Sequence, residues 1–196
     1  MQIAGSSQNI SVQGAQAAQA NANTARQMAG TPQTGADFSK KVMTCVSASG
    51  QKVMLRSDAL MSYASPQTGE SVNIYRAEAY TKDNPVYVVK GLDAAGKEFS
   101  YEVDAAKIDP NRCSFNELMV LNVETGGNTP QNYLQAVIMR DKSGTSSYFE
   151  TADYLSAGKA ALSDFRTLGA WDSYLSMDQW LTRILAYAAH KAGARF

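Results

Sequence analysis

The side chains best suited to nucleophilic or metal chemistry are few and lie far apart along the chain. The sequence contains one histidine, His190, and two cysteines, Cys45 and Cys113. A Ser-His-Asp or Cys-His device needs a base held by a third group, and nothing on the helical turn of His190 supplies one. The two cysteines lack the short paired spacings of zinc and redox motifs, so both are predicted to be buried thiols. We therefore expect no catalytic residue, no cofactor and no metal ligand among them.

Three acidic residues, Glu98, Glu102 and Asp104, fall on the polar side of one predicted strand. Paired carboxylates can perform acid–base catalysis, but only where burial raises the pKa of one of them. Lys90 and Lys97 are expected to face these acids, and such pairs at a strand edge are usually solvated. The sequence therefore favours a solvated strand over a catalytic pair.

Two glycine-containing loops have part of the pattern that holds an ion. Residues 126–129, Gly-Gly-Asn-Thr, precede Pro130 and could present free amides to an anion at a helix start. The Lys-Ser/Thr pair of a P-loop is missing there, which favours a plain loop between helices. Asp93 is followed by two alanines where a calcium loop carries its ligands, so residues 93–96 are predicted to form only a turn.

The overall composition is that of a globular protein with balanced charge. The chain has 196 residues, 44% of them hydrophobic, and 18 basic residues match 18 acidic ones. With a net charge of zero, the protein as a whole does not attract DNA, RNA or an anionic membrane electrostatically. We therefore expect no nucleic-acid partner. No apolar run approaches the ~20 residues of a transmembrane helix, and no secretory signal peptide is visible. We expect no membrane partner and a cytoplasmic location, with export by a route other than general secretion as an alternative.

Residues 1–36 differ in composition from the rest of the chain. They contain one charged side chain, Arg26, and consist mainly of Ala, Gln, Asn, Ser, Thr and Gly. Such a segment has too little apolar surface to offset its own ordering entropy. We therefore predict a disordered or weakly helical tail at 1–36, followed by a single domain at 37–196. The composition of this tail also resembles the unstructured leaders of proteins exported by flagellar and type III systems.

The stretch Gly91–Phe99 predicts a β-hairpin. Asp93 and Gly96 suit the first and last positions of a type I turn, because the glycine tolerates a positive φ. Stepping outward from this turn sorts the two strands into an apolar and a mixed face. The apolar face carries Tyr87, Val89, Phe99, Tyr101 and Val103.

A second hairpin of the same kind is predicted earlier in the chain. Ser47–Gly50 supplies its turn, and stepping outward pairs Cys45 with Val53 and Met43 with Leu55. Because all four of these residues are apolar, Cys45 is expected to lie inside.

The remaining pattern completes an α+β fold. Residues 57–64 are interpreted as a short helix, and 71–80 as a further strand. Helices are then predicted to begin at Ser114, Pro130, about Thr151 and Ser176, with capping boxes at the first and last of these. The prediction is a small antiparallel sheet built from hairpins at about 42–56, 71–80 and 85–104, covered by a helical half at about 114–192.

The apolar stripes of these helices indicate which side chains should face the core. The expected core residues are Leu134, Val137 and Ile138 on the second helix, Leu155, Leu162, Phe165 and Leu168 on the third, and Met177, Leu181, Ile184, Leu185 and Ala188 on the last. Trp180 and Tyr187 lie toward the edge of the last stripe. They are the candidate residues for contact with a partner, since exposed aromatic side chains often anchor interfaces.

Residues 84–122 carry a distinctive series of features. These are Asn84-Pro85, Gly91-x-Asp93, Gly96-Lys97-x-Phe99, Ile108-x-Pro110 and the helix Ser114–Leu121. The series resembles a pattern in uncharacterised proteins of clostridial Firmicutes. The resemblance implies a similar α+β domain and a bacterial origin, and it brings no assigned activity and no catalytic residue.

The sequence therefore favours a non-enzymatic interaction or assembly module with a protein partner and a mobile N-terminal tail. One alternative is a substrate or accessory of a flagellar or type III export apparatus. Another is a small-molecule binder or enzyme whose site forms between the sheet and the helices from residues distant in sequence.

Overall fold

The structure is a computed structural model, and it describes residues 42–46, 50 and 52–193. Three predictions fall outside these residues: the tail at 1–36, the conformation of turn residues 47–49, and the burial of the Cys45 side chain. The α+β prediction is confirmed, with a small antiparallel sheet and helices concentrated in the second half.

Four antiparallel strands form the central sheet, in the order β3-β4-β5-β6. The strands are β3 Met61–Ala64, β4 Ser71–Arg76, β5 Val86–Leu92 and β6 Glu98–Asp104. Alternation along the strands places Val72, Ile74 and Val89 on one face, where each is completely buried. Strand β4 ends earlier than predicted, because residues 77–80 turn away from the sheet.

The predicted hairpin of β5 and β6 is confirmed in its register. Val89 lies opposite Tyr101, and the turn closes with a 2.9 Å hydrogen bond from the Gly96 amide to the Asp93 carbonyl. Gly96 has a φ of 75°, which agrees with its predicted role in the turn. Tyr87, Val89 and Val103 are buried on the predicted apolar face, and Phe99 and Tyr101 pack against the core beside them.

The neighbouring strand β4 constrains Gly91 more strongly than the ring of Phe99 opposite it does. A Cβ atom added at Gly91 would lie 1.7 Å from the carbonyl oxygen of Ser71 on the neighbouring strand. The approach of β4 to β5 at this point therefore requires a residue without a side chain.

A second two-stranded sheet consists of β1 Val42–Val46 and β2 Lys52–Arg56. Its predicted pairs, Cys45 with Val53 and Met43 with Leu55, are confirmed. This hairpin does not extend the four-stranded sheet through backbone pairing.

Strand β2 instead lies over the face of the sheet that the helices leave open. The amide of Met54 donates to Oγ of Ser71 at 3.2 Å, and the amide of Arg56 donates to Oδ1 of Asn73 at 2.8 Å. Ser71 and Asn73 alternate with Val72 along β4, so they point away from the helical core. Both are buried, and their polar side chains join the hairpin to the sheet.

Four helices follow the sheet: α1 Phe115–Glu124, α2 Pro130–Ser143, α3 Tyr154–Thr167 and α4 Trp171–Gly193. A short 3-10 helix at Ala105–Lys107 and the strand pair β7 Cys113–Ser114 with β8 Thr151–Ala152 connect them to the sheet. The predicted capping box at the start of α1 is confirmed, with Ser114 and Glu117 as its residues, and α1 is buried along most of its length. Its side chains supply the centre of the core.

Two element assignments were wrong. Residues 57–64 are not a helix, since Met61–Ala64 form β3 and pair with β4. Met61 and Tyr63 are buried while Ser62 and Ala64 are less so, which is strand alternation over a segment too short to distinguish from one helical turn. The last helix does not begin at Ser176 but at Trp171, so the predicted capping box there is interior helical sequence.

Several predicted core residues lie at the surface. Leu134, Leu168 and Leu185 are exposed, and α2 instead buries Asn132, Gln135, Ala136 and Met139. Helix α3 buries small side chains, which lets its backbone approach its neighbours closely. At Gly158 an added Cβ would lie 2.8 Å from a methyl group of Leu181 on α4.

Candidate interaction surfaces

Trp180, a predicted partner contact, is a core residue. Its side chain is completely buried, and its indole Nε1 donates a 2.8 Å hydrogen bond to Oδ1 of Asn122 on α1. Asn122 is also completely buried, and its backbone carbonyl accepts from the amide of Gly127 at 2.7 Å. Trp180 therefore joins α4 to α1 and is unavailable to a partner.

Tyr187, the other predicted partner contact, is partly buried in a group we name the tyrosine cluster. This cluster consists of Tyr80, Tyr87 and Tyr187 around Glu124. The hydroxyl of Tyr87 donates to Oε2 of Glu124 at 2.5 Å, and that of Tyr80 donates to the same oxygen at 3.1 Å. The Tyr187 hydroxyl oxygen is buried and forms no hydrogen bond of normal geometry.

Two tyrosines of the cluster, Tyr87 and Tyr187, hold their phenolic protons more firmly than usual, because the pKa of each is raised. Burial and the hydrogen bond to Glu124 raise the pKa of Tyr87 well above its usual value. Burial also raises the pKa of Tyr187. A tyrosine that holds its proton this firmly is a poor general base near neutral pH, so the cluster is suited to packing the sheet against α1 and α4.

The other groups considered for chemistry do not come together in the structure. Cys113 is buried with a free thiol whose pKa is raised by burial, which disfavours the reactive thiolate. His190 is exposed on α4. Over residues 42–193, apart from those left undescribed, no three His, Cys, Asp or Glu side chains are close enough to share a metal ion.

The glycine-containing loop at residues 126–129 uses its amides internally. The amide of Gly127 donates to Asn122 and that of Thr129 donates to the carbonyl of Gly127, both at 2.7 Å. The Thr129 hydroxyl caps α2 by accepting from the amide of Asn132 at 3.2 Å. These bonds support the interpretation of a plain loop between helices.

Two shallow clefts open on the described surface. The first, of about 380 Å³, lies between β2 and the exposed side of β5 and β6, and it includes Arg56, Asn73, Lys90 and Glu98. The second, of about 370 Å³, lies between the β2–β3 connection and the start of α2. Neither occupies the interface between sheet and helices, where the sequence analysis placed a possible ligand site. That interface is filled by the side chains of the core.

Two polar side chains lining the first cleft, Asn73 and Arg56, already have hydrogen-bond partners within the protein. Asn73 accepts from Arg56 and from Ser62 at 2.8 Å, and it donates to the carbonyl of Met54 at 3.1 Å. The Arg56 guanidinium is bonded to Asp58 at 3.1 Å. These bonds fix the hairpin on the sheet, so Asn73 and Arg56 are already engaged within the protein.

Three of the large apolar side chains that are exposed among the described residues lie close in sequence where α3 meets α4. We name it the α3–α4 corner and define it by Leu168, Trp171 and Leu175. Their exposed fractions are 78%, 56% and 53%. Trp171 and Leu175 are four residues apart on one helix, so they share one face. Exposed apolar side chains this close in sequence make the corner a candidate interaction surface.

The corner was not predicted from the sequence, because the last helix was predicted to begin at Ser176 and begins at Trp171. With the helix extended to Trp171, Leu175 lies about 180° around the helix from the buried Ile184, at about 100° per residue. Leu175 and Trp171 are thus apolar residues on the polar side of an amphipathic helix. That mismatch was the signal in the sequence that pointed to the corner rather than to Trp180.

Comparisons with models of protein families, with curated proteins and with solved structures gave no match to this chain. In the described part of the chain, no helix combines the length and the apolar character needed to cross a membrane.

Proposed function

We propose that this protein is a non-enzymatic interaction or assembly module that contacts a protein partner through the α3–α4 corner. The observation that carries the proposal is the exposure of Leu168, Trp171 and Leu175, which lie close in sequence where α3 ends and α4 begins. A tryptophan at the centre of an interface is among the side chains that contribute most to binding. Burial of the Trp171 side chain by a partner would remove its apolar surface from water, which favours binding.

The surroundings of the corner support a protein partner. Asp172 and Arg166 are exposed next to the apolar side chains, which gives the corner a polar rim carrying both signs of charge. Further along the same side of α4, Asp178, Gln179 and Thr182 are exposed, so the helix becomes polar away from the corner. An apolar centre inside a charged rim is the usual composition of an interface between proteins.

Affinity capture from cells of the source organism tests this function. The full chain is compared with the double variant Trp171→Glu/Leu175→Glu and with the matched control Gln179→Glu/Thr182→Glu. Both variants place two carboxylates on exposed positions of α4. The wild type and the control should retain the same captured protein, and the corner variant should lose it. Retention by the corner variant, or capture of no specific protein by the wild type, would contradict the proposal.

The composition of residues 1–36 supports a second candidate function, as a substrate or accessory of a flagellar or type III export apparatus. The supporting observation is a single charged residue, Arg26, among small and uncharged polar residues. Fusing residues 1–36 to a reporter enzyme tests it. Export of the fusion by cells with a working apparatus, but not by cells without one, is the expected result. Retention of the fusion in both strains would contradict the export function. That result would not bear on the proposal for the α3–α4 corner.

A further inference from the structure

Strand β6 forms one edge of the four-stranded sheet, and the hairpin geometry fixes which of its backbone groups point outward. The amide of Asp93 donates to Lys97 at 2.9 Å at one end of the ladder, and that of Ala105 donates to Pro85 at 3.0 Å at the other. In an antiparallel pair the bonded residues alternate along each strand. The odd-numbered residues of β6 therefore bond to β5, and Glu98, Ser100 and Glu102 direct their amides and carbonyls away from the sheet.

These outward groups have no partner among the described residues. Strand β6 has β5 as its one neighbour in the sheet, and outside the strand ladders no backbone hydrogen bond involves Glu98, Ser100 or Glu102 in the described part of the chain, where all three residues are exposed. A row of unpaired amides and carbonyls along a sheet edge is a template for another extended strand. We name this row the β6 edge.

The exposed side chains beside the β6 edge are acidic. Glu98 and Glu102 form no ion pair with a described residue. Lys90, which lies opposite Ser100 on β5, is held 4.3 Å above the ring of Tyr75 toward the centre of the sheet. The lysine is thus directed away from the edge, which leaves two negative charges along it.

The other side of β6 is aromatic. Phe99 and Tyr101 point to this side, and Phe149 packs on Phe99 with ring centroids 4.9 Å apart at a steep angle. Phe149 remains 38% exposed. A strand added beside β6 would therefore have acidic neighbours on one of its faces and aromatic neighbours on the other.

We propose that the β6 edge binds an extended segment of a partner protein, which adds to the sheet as a fifth strand and alternates basic with apolar side chains. Backbone hydrogen bonds supply binding, and the alternation supplies selectivity. A second copy of this chain is a poor occupant, because antiparallel pairing of two β6 edges brings their glutamates together. This surface is separate from the α3–α4 corner and does not depend on the function proposed for it.

Binding of defined peptides to the full chain tests the proposal. The probe is a fluorescent peptide of about eight residues that alternates valine and lysine, and the control peptide alternates valine and glutamate. Fluorescence anisotropy should show saturable binding of the lysine peptide, with the glutamate peptide at least about tenfold weaker. Absence of binding at millimolar peptide, or equal binding of the two peptides, overturns the proposal.

Two variants locate the peptide on the edge. Ser100→Pro removes an outward amide without removing a bond to β5, a position where an edge strand tolerates proline. Glu98→Lys/Glu102→Lys reverses the charge and should make the glutamate peptide the better ligand. The matched control Glu78→Lys/Asp178→Lys makes the same charge change at exposed sites elsewhere.

The two edge variants should each weaken the lysine peptide by about tenfold, and the control by less than about twofold. Circular dichroism of each variant verifies that the sheet is retained, and the charge reversal gives an independent test if Ser100→Pro unfolds the protein. Equal weakening in the control and the charge-reversed variant would assign binding to net charge and overturn the site. Sedimentation that shows a dimer dissolved by the edge variants would assign the edge to a second copy and overturn the proposed partner.

Discussion

The indole nitrogen of Trp180 donates a 2.8 Å hydrogen bond to the side-chain oxygen of Asn122, and both residues are completely buried. Trp180→Phe removes the donor and leaves that oxygen without its partner, so we expect it to lower the free energy of unfolding by about 2–4 kcal/mol. Trp171→Phe at the exposed corner should change it by less than about 0.5 kcal/mol. Urea unfolding followed by circular dichroism measures both, and equal losses would contradict the assignment of Trp180 to the core.

The tyrosine cluster predicts opposite effects of the same chemical change at two positions. Tyr87→Phe removes a 2.5 Å hydrogen bond to Glu124 and should destabilise the protein by about 1–3 kcal/mol. Tyr187→Phe removes a buried hydroxyl that forms no hydrogen bond of normal geometry, so it should be neutral or stabilising. Thermal unfolding of the two variants provides the comparison. A larger loss from Tyr187→Phe than from Tyr87→Phe would show that the bonding in the cluster is assigned incorrectly.

Gly91 and Gly96 differ in what a methyl group would meet. At Gly91 an added Cβ would collide with the Ser71 carbonyl oxygen, so Gly91→Ala must displace β4 from β5 and should cost more than about 3 kcal/mol. At Gly96 the added Cβ meets nothing within 4 Å, and only the positive φ is unfavourable. Gly96→Ala should therefore cost about 1 kcal/mol. Chemical unfolding of the two variants tests this order, and a Gly91→Ala protein as stable as Gly96→Ala would refute the close approach.

The buried tyrosines predict that stability falls at alkaline pH. Burial raises the pKa of Tyr101 to about 12 and raises those of Tyr63 and Tyr148 as well, against an ordinary value of 10.0. Above about pH 10 the unfolded chain loses phenolic protons that the folded chain retains, so the free energy of unfolding decreases as pH rises. Each such group contributes at most about 1.4 kcal/mol per pH unit.

Absorbance at the phenolate band, recorded with circular dichroism during a titration upward from neutral pH, checks this prediction. The buried tyrosines should ionise together with the loss of structure. Full ionisation of all tyrosines near pH 10 with the fold intact would contradict their burial.

The β-hairpins were predictable from the sequence because their register depends on local turn chemistry. Asp93 and Gly96 fix the turn, and the alternation of side chains then fixes every pair as far as Tyr87. The capping box at Ser114 is equally local. The position of β2 over the sheet was not predictable, since it depends on bonds from its backbone to Ser71 and Asn73, which are distant in sequence.

The candidate site was less predictable than the fold, because exposure depends on where a helix begins. Ser176 and Gln179 have the spacing of a capping box, yet Trp171–Leu175 continue the helix before them. The earlier start does not change which way the later residues of the helix face. It does add Trp171 and Leu175 to the solvent-facing side of the helix. Trp180 and Tyr187 were predicted to be accessible because they flank the apolar stripe of the last helix. In the structure, α1 and the sheet cover Trp180 completely and Tyr187 in part.

The central claim is that the α3–α4 corner contacts a protein partner, and site-specific photocrosslinking in cells of the source organism tests it most directly. A benzophenone amino acid is placed at Trp171 and, as a control on the same helix, at the exposed Thr182. We expect a discrete crosslinked species from position 171 that contains one additional protein and is absent from position 182. Crosslinking from neither position, or equally from both, would contradict the claim.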